Sequence, residues 1–221
     1  MGPYLGYLNS LSSNNYSTYS LSTRTVSLDL TLCLVPKQVE VIFSKAAHNE
    51  NYAELLQFIP SLLRDRQIFD DQDEDLIQLK KDVAALKGLY LVTDDHYFYD
   101  TSRCFSTIDY LLNEHIRATN FGMPPALLWE GGNKYLGVTA TQGISIRLYD
   151  EAHIEEICQL LVDLEFSDLL VYYNYEKMLA AGVYKLTALE NLEMLDLAFY
   201  EIQHIFLLAL SEDLLVFKKI D

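Results

Sequence analysis

Two stretches of the chain alternate apolar with polar or small residues, and this period of two is typical of a strand with one buried face. They run from Val26 to Leu34 and from Gly143 to Tyr149. A short apolar run from Leu214 to Phe217 predicts a closing strand near the end of the chain. The strands are separated by long segments with a different period.

Those segments repeat apolar residues at the spacing of an amphipathic helix. The longest predicted helix covers about Leu189 to Leu210. Asp150 is predicted to cap a helix over Glu151 to Leu164, because an Asp side chain accepts hydrogen bonds from the free N–H groups of a first turn. The acidic run 70–75 opens another helix, which Gly88 ends.

Several shorter elements complete the prediction. Helices are expected after Pro36, from Tyr52 to Leu63 with a break at Pro60, in the stretch that follows Asp100, and after a cap at Ser167 or Asp168 as far as Gly182. A hairpin or strand–loop is expected over Tyr90 to Tyr99, and a turn at Glu130 to Gly132.

Strands interleaved with helices, without a regular βαβ repeat, predict an α+β fold. We expect a single domain over residues 28–221, with a mixed or antiparallel sheet packed against several helices. In this domain the long C-terminal helix is followed by a short strand. Residues 1–27 are rich in Ser and Tyr and carry one charge, Arg24, so they are predicted to form an N-terminal extension.

The chain is strongly acidic, with 32 Asp and Glu against 16 Lys and Arg and a net charge of −16. From Asp150 to Asp221 there are fifteen acids and four lysines, which gives −11 of the total. This charge disfavours nucleic-acid binding, which depends on Lys and Arg at phosphates. It favours encounter with basic proteins, although plain solubility is an equally simple explanation.

The three cysteines, Cys33, Cys104 and Cys158, are far apart and lie in apolar patterns. We therefore expect buried thiols rather than a disulfide framework or a zinc site. No apolar run approaches the length of a membrane span, and the N-terminus lacks the pattern of a signal peptide. The expected location is the cytoplasm, with no membrane contact.

Candidate chemistry is sparse. The sequence contains no nucleophile elbow, metalloprotease helix, P-loop or dinucleotide fingerprint, so we expect no catalysis, cofactor or metal. One candidate pocket would gather Asp95, His96, Trp129 and Glu130, where a carboxylate beside a histidine can orient a base; a surface loop is the alternative explanation. His204, in the last predicted helix, is expected to be a core histidine.

Tyrosine is abundant, with 16 Tyr against 10 Phe and one Trp. Tyr combines a large apolar body with a polar tip and is enriched at protein interfaces, while half-buried Tyr at the edge of the core is the competing explanation. The candidate partner-binding residues combine acids and Tyr on the C-terminal helices: Glu155, Asp163, Tyr172, Glu176, Glu193 and Tyr200.

Four segments of the chain resemble the YfbM-like family of small bacterial proteins. They are residues 33–39, residues 105–112 with Phe105 where the family usually has Trp, residues 126–132, and residues 146–154 followed by 175–178 and 182–184, where Lys185 replaces a family proline. The resemblance covers about residues 28–221 and implies a single α+β domain in the bacterial cytoplasm. It implies no reaction, because the family has no established one.

Three functions remain open at this point. The first is a non-enzymatic acidic protein, such as an immunity or antitoxin-like protein, that caps a basic partner protein by steric and electrostatic contact. The second is a small-molecule or enzymatic pocket near Trp129 and His96. The third is a DNA mimic whose carboxylates imitate phosphates. The identity of the partner and the oligomeric state stay open.

Overall fold

In the computed structural model, residues 29–66, 68, 73–89, 97–101, 104–123, 128, 130–132, 139–140, 144–183 and 191–220 are described. These residues include five strands: β1 (Leu30–Val35), β2 (Phe98–Thr101), β3 (Thr139–Ala140), β4 (Ile144–Tyr149) and β5 (Leu215–Ile220). They form one antiparallel sheet in the order β2-β1-β5-β4-β3. β5, the last strand along the chain, therefore lies at the centre of the sheet.

The same residues contain the following helices: α1 (Val39–Ala46), α2 (Glu50–Leu55), α3 (Ile59–Leu63), α4 (Glu74–Lys87), α5 (Phe105–Thr119), α6 (Glu151–Leu161), α7 (Phe166–Leu170), α8 (Tyr175–Ala180) and α9 (Leu192–Ser211). A single 3-10 turn, Leu56–Phe58, joins α2 to α3. The predicted α+β single domain is confirmed, as is the long C-terminal helix followed by a strand.

Helices cover both faces of the sheet. Successive side chains of a strand point to opposite faces, and Phe217 and Lys218 of β5 show both environments. The ring of Phe217 packs against Phe43 of α1, with 6.0 Å between ring centroids. On the Lys218 side, Tyr149 of β4 meets Phe206 of α9 at 5.1 Å. The domain thus has three layers, with α1 to α4 on one face and α5, α6, α7 and α9 on the other.

A half-buried carboxylate joins three helices of the first layer. Asp82 of α4 accepts hydrogen bonds from Lys45 of α1 (2.7 Å) and from the hydroxyl of Tyr52 of α2 (2.6 Å). Burial acts to raise the pKa of Asp82, but these bonds, with one from Gln78, lower it below its ordinary value. The charged form of Asp82 is therefore the form that stabilises the contact between these helices.

Most predicted boundaries are confirmed within a few residues, but two helix starts were wrong, and the single helix predicted as far as Gly182 is two short helices, α7 and α8. Asp100 lies in β2 and pairs with Arg64, so the helix after it begins only at Phe105. The cap predicted at Ser167 or Asp168 is Glu165, and Asp168 completes its capping box from the third helical position. The pattern of acids suited either register, and only the reciprocal hydrogen bonds decide between them.

All three cysteines are buried free thiols, as predicted. Burial raises the pKa of the Cys158 thiol to about 11, and its Sγ donates to the carbonyl of Phe206 in α9. A thiol in this state is a poor nucleophile, because the thiolate is the reactive form. The cysteines act as small core residues.

α9 is the longest helix of the described residues. It has the length and composition of a membrane-spanning helix, with a mean hydropathy of 1.3 in its most apolar 18-residue window, of which 39% is buried. The buried side carries residues such as Phe199, Ile202 and Phe206, which fill the core against α6 and the sheet. Packing in the core accounts for the apolar residues on the buried side of α9.

Candidate functional site

Five of the six predicted partner-binding residues are exposed. Glu155 lies on the outer side of α6 and Asp163 just beyond the end of that helix, Glu176 lies in α8, and Glu193 and Tyr200 lie in α9. None of these four acids forms an ion pair with a Lys or Arg among the described residues. Their carboxylates are therefore available for contact with other molecules. We call the outer surface of α6 to α9 the acidic face.

The acidic face carries almost no positive charge. Residues 150–183 and 191–213 contain thirteen Asp and Glu and one base, Lys177, which is a net −12. Five of these acids have local contacts: Lys37 pairs with Glu151 and with Asp213, Asp150 caps α6, and Glu165 and Asp168 form the capping box of α7. Like charges on one surface repel one another and create a negative potential.

Apolar side chains are also exposed on the acidic face. Val162, Val171, Leu179, Met194 and Leu197 each expose half or more of their surface, and Tyr175 exposes 47%. Single exposed apolar residues are common on any protein. Exposed apolar residues that stand beside acids along the same helices are compatible with a protein interface.

Tyr172 differs from the other predicted residues. It is half-buried, and its ring packs edge-on against the ring of His115 in α5, with 5.9 Å between centroids. This contact holds the turn after α7 to α5. His204 also differs from its prediction, because it is exposed on α9 and is not a core histidine. The buried side of α9 is formed by apolar residues and does not include His204.

The predicted pocket is only partly within the described residues. Asp95, His96 and Trp129 lie outside them, so the pocket is untested there. Glu130 lies at the predicted turn, where its backbone carbonyl accepts a hydrogen bond from the guanidinium of Arg147 in β4. The carbonyl of Gly132 lies 3.4 Å from the same guanidinium nitrogen. Arg147 therefore holds this turn against the sheet.

A buried lysine holds the same segment from below. Lys218 of β5 has no solvent exposure, and its Nζ donates to the carbonyl oxygens of Leu128 (3.0 Å) and Gly131 (2.5 Å). Asp109 of α5 accepts a hydrogen bond of 2.6 Å from the backbone N–H of Leu128. We call Lys218, Asp109, Arg147 and Tyr149 the buried cluster.

Burial determines the protonation of the cluster. Desolvation, with the nearby Arg147 charge, lowers the pKa of Lys218 from 10.5 to about 7, although Asp109 and Glu130 act in the opposite direction. The Lys218 ammonium lies 5.1 Å from the centre of the Tyr149 ring. Burial also raises the pKa of the Tyr149 hydroxyl, so it stays neutral. Because Lys218 is inaccessible, the cluster fastens Leu128 and residues 130–132 to the sheet and offers no open site for a ligand.

The buried cluster was not predicted from the sequence. The pair Lys218–Lys219 inside the apolar strand β5 was the available signal. Adjacent side chains of a strand point to opposite faces of the sheet, so at least one of two neighbouring lysines points toward the packed helices. Asp109 has no such signal, because an acid in a helix is usually solvated. Only the fold brings Leu128 between Asp109 and Lys218.

An open cleft of about 380 Å³ lies where α1 and α6 begin, lined by Lys37, Glu40, Asp150, Glu151, Ala152 and Leu215. Lys37 already bridges Glu151 and Asp213 across it, and these two acids raise the pKa of Lys37. In the residues that the structure describes, no group of three His, Cys, Asp or Glu is arranged to hold a metal ion. The acidic face is therefore the stronger candidate.

No family model, curated protein or solved structure matches this chain. The resemblance to the YfbM-like family therefore stays a prediction from the four sequence segments that carry it. The acidic face is thus the feature of this chain that bears on its function.

Proposed function

We propose that this protein is a non-enzymatic binding protein that covers a basic surface of a partner protein with its acidic face. The observation that carries the proposal is the composition of that face: exposed carboxylates without described cationic partners, combined with exposed apolar side chains. Immunity and antitoxin-like proteins, which inactivate a basic protein by covering it, are the most concrete class of this kind. The three buried thiols are compatible with action in the cytoplasm.

The mechanism is electrostatic steering followed by apolar contact. A surface of net −12 raises the rate of encounter with a cationic protein, and this effect weakens as salt shortens the range of the field. Exposed apolar side chains then supply contact area that salt does not screen. Charge accordingly controls association, and apolar contact controls the lifetime of the complex.

Two reversal variants of equal net charge test the proposal. The first is Glu155→Lys, Glu176→Lys and Glu193→Lys on the acidic face. The second is the matched control Glu40→Lys, Glu50→Lys and Glu74→Lys, made at exposed acids of the first layer. Partners retained from a lysate of the source cells at low salt are identified, and their association with each variant is measured across a salt series.

The acidic-face variant is expected to associate at least about tenfold more slowly than the wild type, with a weaker dependence on salt. The control variant is expected to keep most of the wild-type rate, because it changes total charge equally but leaves the face intact. Equal rates for the two variants would show that net charge alone acts, and the proposal would be abandoned.

A further inference from the structure

The outward side of α9 combines apolar and acidic residues in one band. Met194, Leu197, Tyr200 and Leu208 lie within about one-third of the helix circumference, at 100° per residue. Leu197 is 61% exposed and Met194 50%, while Leu208 is half-buried. We call these four residues the outer stripe. Because α9 also buries its opposite side in the core, it is apolar on two sides.

Carboxylates lie within and beside the outer stripe. Glu193 and Glu201 are exposed, and Asp196 is partly exposed at the edge. Partial desolvation by its neighbours raises the pKa of Glu201 above its ordinary value. A cation that reaches Glu201 would replace hydration that is already reduced. No Lys or Arg lies on α9.

The charge decides between the possible occupants of the stripe. A second copy of this chain would bring another face of net −12 against the first, which like-charge repulsion opposes. An anionic lipid surface is opposed for the same reason. A partner segment that alternates apolar and cationic residues at helical spacing matches both the stripe and its carboxylates.

Building on the proposed function, we infer that the outer stripe of α9 binds a basic amphipathic helix of the partner protein. From Met194 to Leu208 the stripe is about 21 Å long at 1.5 Å per residue. This length corresponds to about four turns of a partner helix. Leucine-like side chains of that helix contact Leu197 and Tyr200, and its Lys or Arg side chains reach Glu193 and Glu201.

Two labelled 18-residue peptides of Leu and Lys test the inference by fluorescence anisotropy. One has leucines at helical spacing on a single side. The other has the same composition in an order without an apolar side. The protein variants are Leu197→Ser with Tyr200→Ser on the stripe, and the control Val41→Ser with Leu89→Ser at exposed apolar residues of the other layer (59% and 56% exposed). Thermal unfolding confirms that both variants remain folded.

The one-sided peptide is expected to bind the wild type at least about tenfold more tightly than the reordered peptide. The stripe variant is expected to lose this difference, and the control variant to keep it. If both peptides bind the wild type equally, the acidic face acts by charge alone; the proposed function then stands and this inference fails. If neither peptide binds, both fail.

Two further measurements test the other possible occupants of the outer stripe, which are a second copy of this chain and a lipid membrane. Sedimentation at low salt detects self-association, and neutral phosphatidylcholine vesicles detect insertion into lipid. We expect a monomer and no vesicle binding from the wild type. Self-association or vesicle binding that the stripe variant abolishes would overturn the inference in favour of a second copy or a membrane.

Discussion

Asp109 and Lys218 bind the two backbone groups of one residue, Leu128. The carboxylate accepts from its N–H at 2.6 Å and the ammonium donates to its carbonyl at 3.0 Å. The two side chains come from α5 and from β5, so one residue of an intervening segment links a helix to the central strand. Because every polar group in this arrangement is buried, loss of one partner leaves another unsatisfied.

Lys218→Met is expected to destabilise the protein. The Met side chain fills similar space but leaves the carbonyl oxygens of Leu128 and Gly131 without their donor, at a cost of about 1–3 kcal/mol. Urea unfolding measures the change in the free energy of unfolding. The control Lys81→Met, at an exposed position of α4, is expected to stay within about 0.5 kcal/mol. Equal stability of the two variants would contradict the anchoring role.

The pH dependence of stability should report the protonation of Lys218. Its pKa is lowered from 10.5 to about 7 in the folded state. Between these values the unfolded chain binds the extra proton, so this group makes stability rise with pH, by up to about 1.4 kcal/mol per pH unit. The stability that follows from a neutral Lys218 is fully present above pH 10.5 and is lost as the pH falls toward 7.

The measurement is the difference in unfolding free energy between the wild type and Lys218→Met from pH 6.5 to 9.5. Other titrating groups largely cancel in this difference. The free energy of unfolding of the wild type is expected to rise relative to that of Lys218→Met as the pH rises. A difference that does not change with pH would mean that Lys218 keeps its proton throughout the range.

Gly132→Ala is expected to lower stability by at least about 1–2 kcal/mol. Gly132 has a φ of +85°, and an added Cβ would lie 3.2 Å from the carbonyl oxygen of Leu148. Gly122→Ala is the matched control, because no atom lies within 4 Å of its Cβ position. It should be neutral or slightly stabilising. Thermal unfolding compares the two, and a similar melting temperature for both would disprove the strain.

Tyr52→Phe is expected to cost about 1.5 kcal/mol or more, because it removes a hydrogen bond to the charged Asp82. Tyr175→Phe, at an exposed Tyr, should change the unfolding free energy by less than about 0.5 kcal/mol. Guanidinium unfolding of both variants gives the comparison. If Tyr52→Phe is as stable as the wild type, the other donors to Asp82 suffice without the hydroxyl.

The regular elements could be predicted because their signals are local. Asp150 caps α6 as its position suggested, accepting from the backbone N–H of His153. The alternation around Leu30 and Leu32 predicted β1 correctly, but the single buried face was wrong: Cys33 and Val35 are buried as well, because helices cover both faces of the sheet. The sequence pattern did not show that Glu165 caps α7 with Asp168 at the third helical position, because an acid can serve in either role.

The candidate site, like the fold, could be predicted only where its signals are local in the sequence. Exposure of Glu155 and Glu193 followed from their place opposite a helical apolar stripe, which is a local property. The buried cluster depends on contacts between residues far apart in the chain, such as Leu128 and Lys218, so no window of the sequence contains it. His204 was placed in the core because its surroundings are apolar, and the unusual apolarity of the outer side of α9 explains that error.

The central position of β5 has a consequence for synthesis of the protein. β1 leaves the ribosome before its neighbour in the sheet, residues 215–220, which follow about 180 residues later. Until those residues emerge, one edge of β1 and one edge of β4 lack their partner strand, and open edges of this kind promote aggregation. The nascent chain would then depend on chaperones until residues 215–220 have been translated, and cells with limited chaperone capacity should yield less soluble protein.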